Sequence, residues 1–181
     1  HWKKSLARVR RKVHEAALQL LQTYALREVS PGFAFPKDGP FSAQAEASFP
    51  FTETADQLRA IQEIKKDMEK PQPMDRLLVG DVGFGKTEVA FRAAVKAAES
   101  GKQVAVLVPT TLLAQQHYET FLSRIGELPL RVEALSRFVP KRKQQEIVRS
   151  VAEGKVDILI GTHRLVQKDV RFKDLGLVIV D

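Results

Sequence analysis

The sequence predicts an α/β fold: a parallel sheet with helices on both faces, preceded by a long N-terminal amphipathic helix. Three observations carry that prediction. Short, near-continuous apolar runs at 76–79, 104–108, 131–135, 157–160 and 175–180 alternate with segments of helical periodicity. Runs without a polar side need cover on both faces, and strands separated by helices pair in parallel. The runs also end on Gly80, Pro109, Gly161 and Asp181, at the carboxyl edge where such sheets hold ligands.

Taken in order, residues 2–24 are predicted to form one helix, because Trp2, Leu6, Val9, Val13, Ala16, Leu20 and Tyr24 fall on a single stripe. Lys3, Lys4, Arg8, Arg10, Arg11 and Lys12 surround that stripe, either as a solvated face or as a contact for a polyanion or partner. The pattern starts with no N-cap ahead of it, as expected of a piece cut from something longer. From Val29 to Pro50 the composition shifts to Pro, Gly, Ser and Ala, with turn signals at Ser30-Pro31-Gly32 and Asp38-Gly39-Pro40. A connector loop is expected there, pinned by Phe33, Phe35 and Phe41. A capped helix is expected from Thr52, burying Leu58, Ile61, Ile64 and Met68 and ending before Pro71. Between the later runs, helices are predicted over 88–100, 112–125 and 141–153. The chain therefore divides into a helix at 1–28, a connector at 29–50 and an α/β domain at 51–181.

At 181 residues the chain has room for one domain and an appendage. It contains no Cys, which excludes disulfides and thiolate metal sites. No apolar run approaches the roughly 20 residues that span a bilayer, and the basic N-terminus lacks the apolar core of a signal peptide. No membrane association and a cytoplasmic location are the expectations. With 29 Lys and Arg against 22 Asp and Glu, the net charge of +7 favours a polyanionic partner.

The most informative stretch is Gly80-Asp81-Val82-Gly83-Phe84-Gly85-Lys86-Thr87, a full match to the phosphate-loop pattern, between an apolar run and a helical segment opening with Glu88. That setting aims backbone N–H groups and a helix N-terminus at one point, where a triphosphate can sit. Gly83 and Gly85 let the backbone approach closely. Lys86 is expected to reach the outer phosphates and the Thr87 hydroxyl to hold magnesium. Asp181, closing the apolar run Gly176-Leu177-Val178-Ile179-Val180, is the candidate second carboxylate, holding magnesium through water. Lys86 and Asp181 are thus the candidate catalytic residues, and Thr87 and Asp181 the candidate magnesium ligands. No residue after Asp181 supplies the base that would activate water, so the stretch by itself is expected to bind nucleotide and barely hydrolyse it.

These residues carry a resemblance. Gly80 to Thr87, Pro109-Thr110-Thr111-Leu112-Leu113-Ala114-Gln115-Gln116-His117, Gly161-Thr162-His163-Arg164-Leu165 and Val178-Ile179-Val180-Asp181 resemble the ordered motifs of superfamily 2 helicase-type motors. Phe84 within the loop, Glu88 after it, Asp56 to Ile61, Leu135-Ser136-Arg137-Phe138 and the leading helix ending Tyr24-Ala25-Leu26-Arg27 are similar to the bacterial transcription-repair coupling factors. The RecG-type branch-migration helicases are close relatives.

The resemblance implies that 51–181 is a first RecA-like, ATP-binding domain ending at its second-motif aspartate, led by a linker helix. It implies an ATP hydrolase in the full-length protein that translocates on double-stranded DNA, displaces stalled RNA polymerase and recruits excision-repair proteins. It assigns base recognition to Gln57 beside the loop residues, Glu88 included, and DNA-backbone contacts to Thr111, Gln115, Ser136, Arg137, Thr162, His163 and Arg164. Phe49 and Phe51 are either near the base or loop anchors, and His163 is either a DNA contact or a structural hydrogen-bonding residue. The competing readings are a RecG-type branched-DNA helicase and a regulatory module that holds nucleotide without cycling.

Overall fold

The computed structural model describes residues 2–181, and among the first seven the side chains of Ser5 and Leu6. Helix α1 (Trp2–Val29) follows the predicted stripe and runs five residues past its predicted end at Tyr24. Trp2, Lys3 and Lys4 of that pattern lie outside the described side chains. Leu6, Val9, Val13, Leu20 and Tyr24 are all exposed, so the stripe is not covered by any described part of the chain. An ion pair from Arg27 to Asp75 ties down its last turn.

The connector is more ordered than a loop. It contains helix α2 (Pro40–Ala47), with Pro at its first position, where a missing N–H costs nothing. Helix α3 (Ala55–Met68) begins with a reciprocal capping box between Thr54 and Gln57 and buries Ile61, Ile64 and Met68. Leu58, expected in that stripe, is 42% exposed. Helix α4 (Lys86–Glu99) starts directly from the glycine loop and buries most of its length. Strand β1 (Gln103–Leu107), helix α5 (Thr111–Ile125), strand β2 (Val132–Leu135), helix α6 (Lys141–Ala152), strand β3 (Ile158–Gly161) and strand β4 (Leu175–Val180) follow, with one 3-10 turn at His163–Val166.

All strand pairs are parallel, in the order β2-β3-β1-β4. Alternate side chains pack on opposite sides. Val104, Val106, Ile158 and Ile160 join Val89, Phe91, Val95 and Phe121 of α4 and α5. Leu159 and Leu135 meet Ile147 and Val151 of α6 and Leu165. The predicted two-sided cover is present. Buried Gln103 ties the bottom of the sheet together: its Nε2 donates to Val151 O (3.0 Å) and Val156 O (2.8 Å), and its Oε1 accepts from Lys173 N (2.7 Å) and Asp174 N (3.0 Å).

One expected strand is absent. Residues 76–79 form no ladder, and Leu77 and Val79 are exposed. Arg76 holds this segment to α3 instead, donating from Nε to Asp67 (2.7 Å) and from Nη1 to Glu63 (2.7 Å). The outer edge of β4 is left without a partner strand among the described residues.

Candidate functional site

Because the sheet is parallel, the carboxyl ends of all its strands lie along one edge. Asp181 follows β4, Thr111 follows β1, Ser136 and Arg137 follow β2, and Thr162 to Arg164 follow β3. The glycine loop enters α4 beside this edge.

Within the loop, Gly83 and Gly85 take positive φ of 83° and 72°. The Phe84 N–H closes a turn on Asp81 O (3.3 Å), and Val82 and Phe84 point outward, exposed. Lys86 Nζ spans the loop, donating to Gly80 O (2.5 Å) and Asp81 O (2.8 Å). Lys86, Thr87, His117 and Asp181 share one cleft of about 330 Å³, whose remaining wall is apolar apart from Arg76 and includes Val106, Phe121 and Leu177. A backbone cradle, an ammonium and a helix N-terminus at one end of a cleft suit a phosphate chain. Thr87 and Asp181 are the oxygen donors available to a metal, and among the described residues no larger His, Cys, Asp or Glu group could hold one. That sparse set fits magnesium, which keeps waters and rides with phosphates rather than filling an all-protein cage.

Gln57 is next to the loop but engaged within the protein. Its Oε1 accepts from Thr54 N (2.8 Å) and its Nε2 donates to Phe84 O (2.8 Å). Glu88 is 8% exposed, and its carboxylate accepts from Arg92 Nε (2.8 Å) and from Arg124 Nε (3.0 Å) and Nη2 (2.7 Å). Arg92 also donates to Glu53 (2.5 Å). Burial alone would lower the Arg92 pKa, but hydrogen bonds to Glu88 and Glu53 outweigh it and leave the value raised. The Phe49 ring lies against both guanidiniums, at 5.3 Å from Arg92 and 5.2 Å from Arg124. Phe49 is therefore a loop anchor, and Phe51 meets it edge-on at 5.6 Å.

The expected DNA-facing residues separate into two groups. Gln115, Arg137 and His163 are exposed and Thr111 is partly so. Ser136 and Thr162 are buried residues, and the Ser136 hydroxyl oxygen accepts from Phe138 N (3.3 Å). Arg164 is held by Asp169 in a two-pronged pair of 2.7 and 2.5 Å, and that hydrogen bond raises its pKa. Gln144 was not singled out in the sequence, yet it joins two of these loops. It donates to Ser136 O (3.2 Å) and Val139 O (2.8 Å) and accepts from Arg164 Nε (3.4 Å).

His117, named in the sequence only as the last residue of a motif, is the other residue that sequence reasoning left without a role. A signal was present: Ala114, His117, Phe121 and Ile125 share the buried side of α5, so a polar residue occupies an apolar position.

The profile of the DEAD/DEAH box helicase family matches residues 54–181. The chain is 56% identical over 180 residues to a transcription-repair-coupling factor of Mycobacterium tuberculosis and 54% identical to that of Escherichia coli, covering 99% of itself in each case. It spans only 15% and 16% of the lengths of those relatives. Among solved structures it is similar to RecG bound to a three-way DNA junction, with a TM-score of 0.81 at 39% identity, covering 87% of this chain and 22% of that one.

Proposed function

Because the chain belongs to the DEAD/DEAH box helicase family, we propose that it is the nucleotide-binding part of an ATP-driven double-stranded DNA translocase. In the whole protein this motor displaces stalled RNA polymerase and couples transcription to nucleotide excision repair, with excision-repair proteins as further partners, in the cytoplasm. The observation that carries the reading is the convergence of Lys86, Thr87 and Asp181 on one cleft, at the edge that also carries the loops after β1, β2 and β3. Identity of 56% to a coupling factor against 39% to RecG favours the coupling-factor reading over a branched-DNA helicase. No helix is long and apolar enough to cross a membrane among the described residues.

The chain's own residues divide the work. The free N–H groups of the loop from Gly80 to Thr87 cradle the phosphates while those of Phe84 and Glu88 hold its shape on Asp81 O and Gly85 O, and Lys86 exchanges its carbonyl partners for phosphate oxygens. Thr87 and Asp181 hold magnesium. Magnesium–ATP supplies the anhydride whose hydrolysis drives movement. Gln57, by turning from Phe84 O, offers its amide to the adenine edge. Thr111, Gln115, Arg137 and His163 face the duplex backbone, positioning it without reading sequence, while Ser136, Thr162 and Arg164 hold the loops in shape.

Lys86→Ala tests the nucleotide site. Its Nζ contacts loop carbonyls rather than the core, so the variant is expected to unfold like the parent yet lose most ADP and ATP affinity by calorimetry, since the charge-assisted phosphate contact is gone. Retained affinity in a folded variant would refute the assignment. Stimulation of ATP hydrolysis by duplex DNA in the full-length protein separates a motor from a module that holds nucleotide without cycling.

A further inference from the structure

Asp181 is held from two sides. Its backbone N–H donates to Leu107 O (3.0 Å), fixing the strand end, and its Oδ2 lies 2.7 Å from His117 Nε2. A carboxylate only accepts, so Nε2 carries the proton. The other ring nitrogen, Nδ1, is buried with no hydrogen-bond partner among the described residues. The ring, 8% exposed, sits edge-on to Phe121 (6.4 Å between centroids), and Phe121 meets Phe91 of α4 edge-on at 5.2 Å.

An imidazole with one unpaired nitrogen is a costly occupant of an apolar position that leucine could fill. What it gains is the bond to Asp181. We infer that His117 is a positioning residue: it holds one carboxylate oxygen of Asp181 and so presents the other to the divalent cation of the nucleotide site. This inference rests on the nucleotide-site reading above and names a residue that the reading leaves out. Carboxylates that ligate metals are commonly held by such outer partners, and losing one typically costs about 10–100-fold in metal affinity. Helix α5 also begins at Thr111 and carries Gln115 on its exposed side. The helix proposed to face DNA is thus the helix that grips the magnesium carboxylate.

The test uses the chain with a fluorescent ADP analogue, titrated with magnesium, and reads bound Mn²⁺ with ADP by electron paramagnetic resonance. His117→Leu is expected to keep its thermal unfolding temperature, since leucine packs against Phe121, but to need roughly tenfold more magnesium for half-maximal binding. His117→Gln, whose side-chain N–H can replace Nε2–H, is expected to restore most of the parent's requirement and its Mn²⁺ spectrum. His117→Met serves in place of Leu if that variant does not fold. An unchanged magnesium requirement in a folded Leu or Met variant overturns the inference, as does a Gln variant as impaired as Leu. A parent chain that binds no nucleotide would instead overturn the nucleotide-site reading, and the inference with it.

Discussion

Gly85 shows how much of the loop depends on a single missing side chain. Its φ of 72° lies in the left-handed region, and a Cβ built there would come 2.4 Å from Gln57 Nε2. The left-handed conformation costs a non-glycine residue about 1–2 kcal/mol, and the clash would push Gln57 off Phe84 O. Gly85→Ala is therefore expected to lower the melting temperature by about 2–8 °C in a chain of this size. A nucleotide that needs the same loop shape should bind about tenfold more weakly, at 1.4 kcal/mol per decade. Calorimetric melting and ADP titration read both, and a variant that binds ADP like the parent would show the loop shape to be dispensable. The loop was legible in the sequence because each fixed residue answers a local backbone demand. The hydrogen bonds of Gln57 to Phe84 and of His117 to Asp181 were not, because they join positions 27 and 64 residues apart that only the folded sheet brings together.

At the level of elements, the connector is where local signals misled. Asp38-Gly39-Pro40 has turn composition, but Pro at a first helical position also starts a helix, and Gly39 supplies no side-chain cap. The cap comes from Glu99 at the far end of α4, whose carboxylate accepts from Gly39 N (3.2 Å), Phe41 N (2.7 Å), Ser42 N (3.2 Å) and Ser42 Oγ (2.6 Å). Buried Lys96 adds bonds to Pro36 O (2.7 Å), Asp38 (2.9 Å) and Glu69 (2.9 Å). Phe35 is buried as expected of an anchor, but Phe33 is exposed, with the Lys102 ammonium over its ring. Charge thus does much of the pinning assigned to aromatics. Burial alone would raise the Glu99 pKa, yet bonds from Ser42, Phe41 and Gly39 outweigh it and leave the value lowered. A carboxylate with a lowered folded pKa stabilises the fold above its unfolded pKa, and that stability is lost as pH falls through the folded value. Glu99→Gln is expected to cost on the order of 2 kcal/mol at pH 7. The gap to the parent should shrink as pH drops below about 4.3, the ordinary glutamate value. Urea unfolding at pH 7 and pH 3 measures both, and a gap that does not change with pH would leave the capping charge without a role. The 76–79 run misled for a related reason: its apolar pattern fits a strand, but Arg76 is bound to α3, and nothing local encodes that choice.

Across the whole molecule, topology gathers the motifs at one edge. The order β2-β3-β1-β4 was not readable from strand propensities. Once all strands are parallel, however, every motif at a strand end must fall on one side. That is why motifs far apart in the sequence come to one edge of the sheet even where the element predictions failed. The net charge of +7 is not spread evenly in its effect. Arg164 is neutralised by Asp169 at 2.5 Å, whereas Arg137 is exposed, with the Phe138 ring beside its guanidinium at 5.4 Å and no ion pair among the described residues. A cation already paired releases little counterion from DNA, while a free one releases a full share, changing the log–log salt slope by about 0.9 per phosphate. Arg137→Ala is therefore expected to flatten the slope for any duplex by about that amount, without altering preference among sequences. Arg164→Ala should leave the slope nearly unchanged while loosening the loop that Gln144 and Asp169 hold. Fluorescence anisotropy of duplexes of different sequence, from about 50 to 200 mM salt, measures each slope. Equal slopes for the parent and Arg137→Ala would remove Arg137 from the interface. A larger change in Arg164→Ala than in Arg137→Ala would mean that DNA displaces Asp169 and takes its partner, reversing the division between facing and supporting residues.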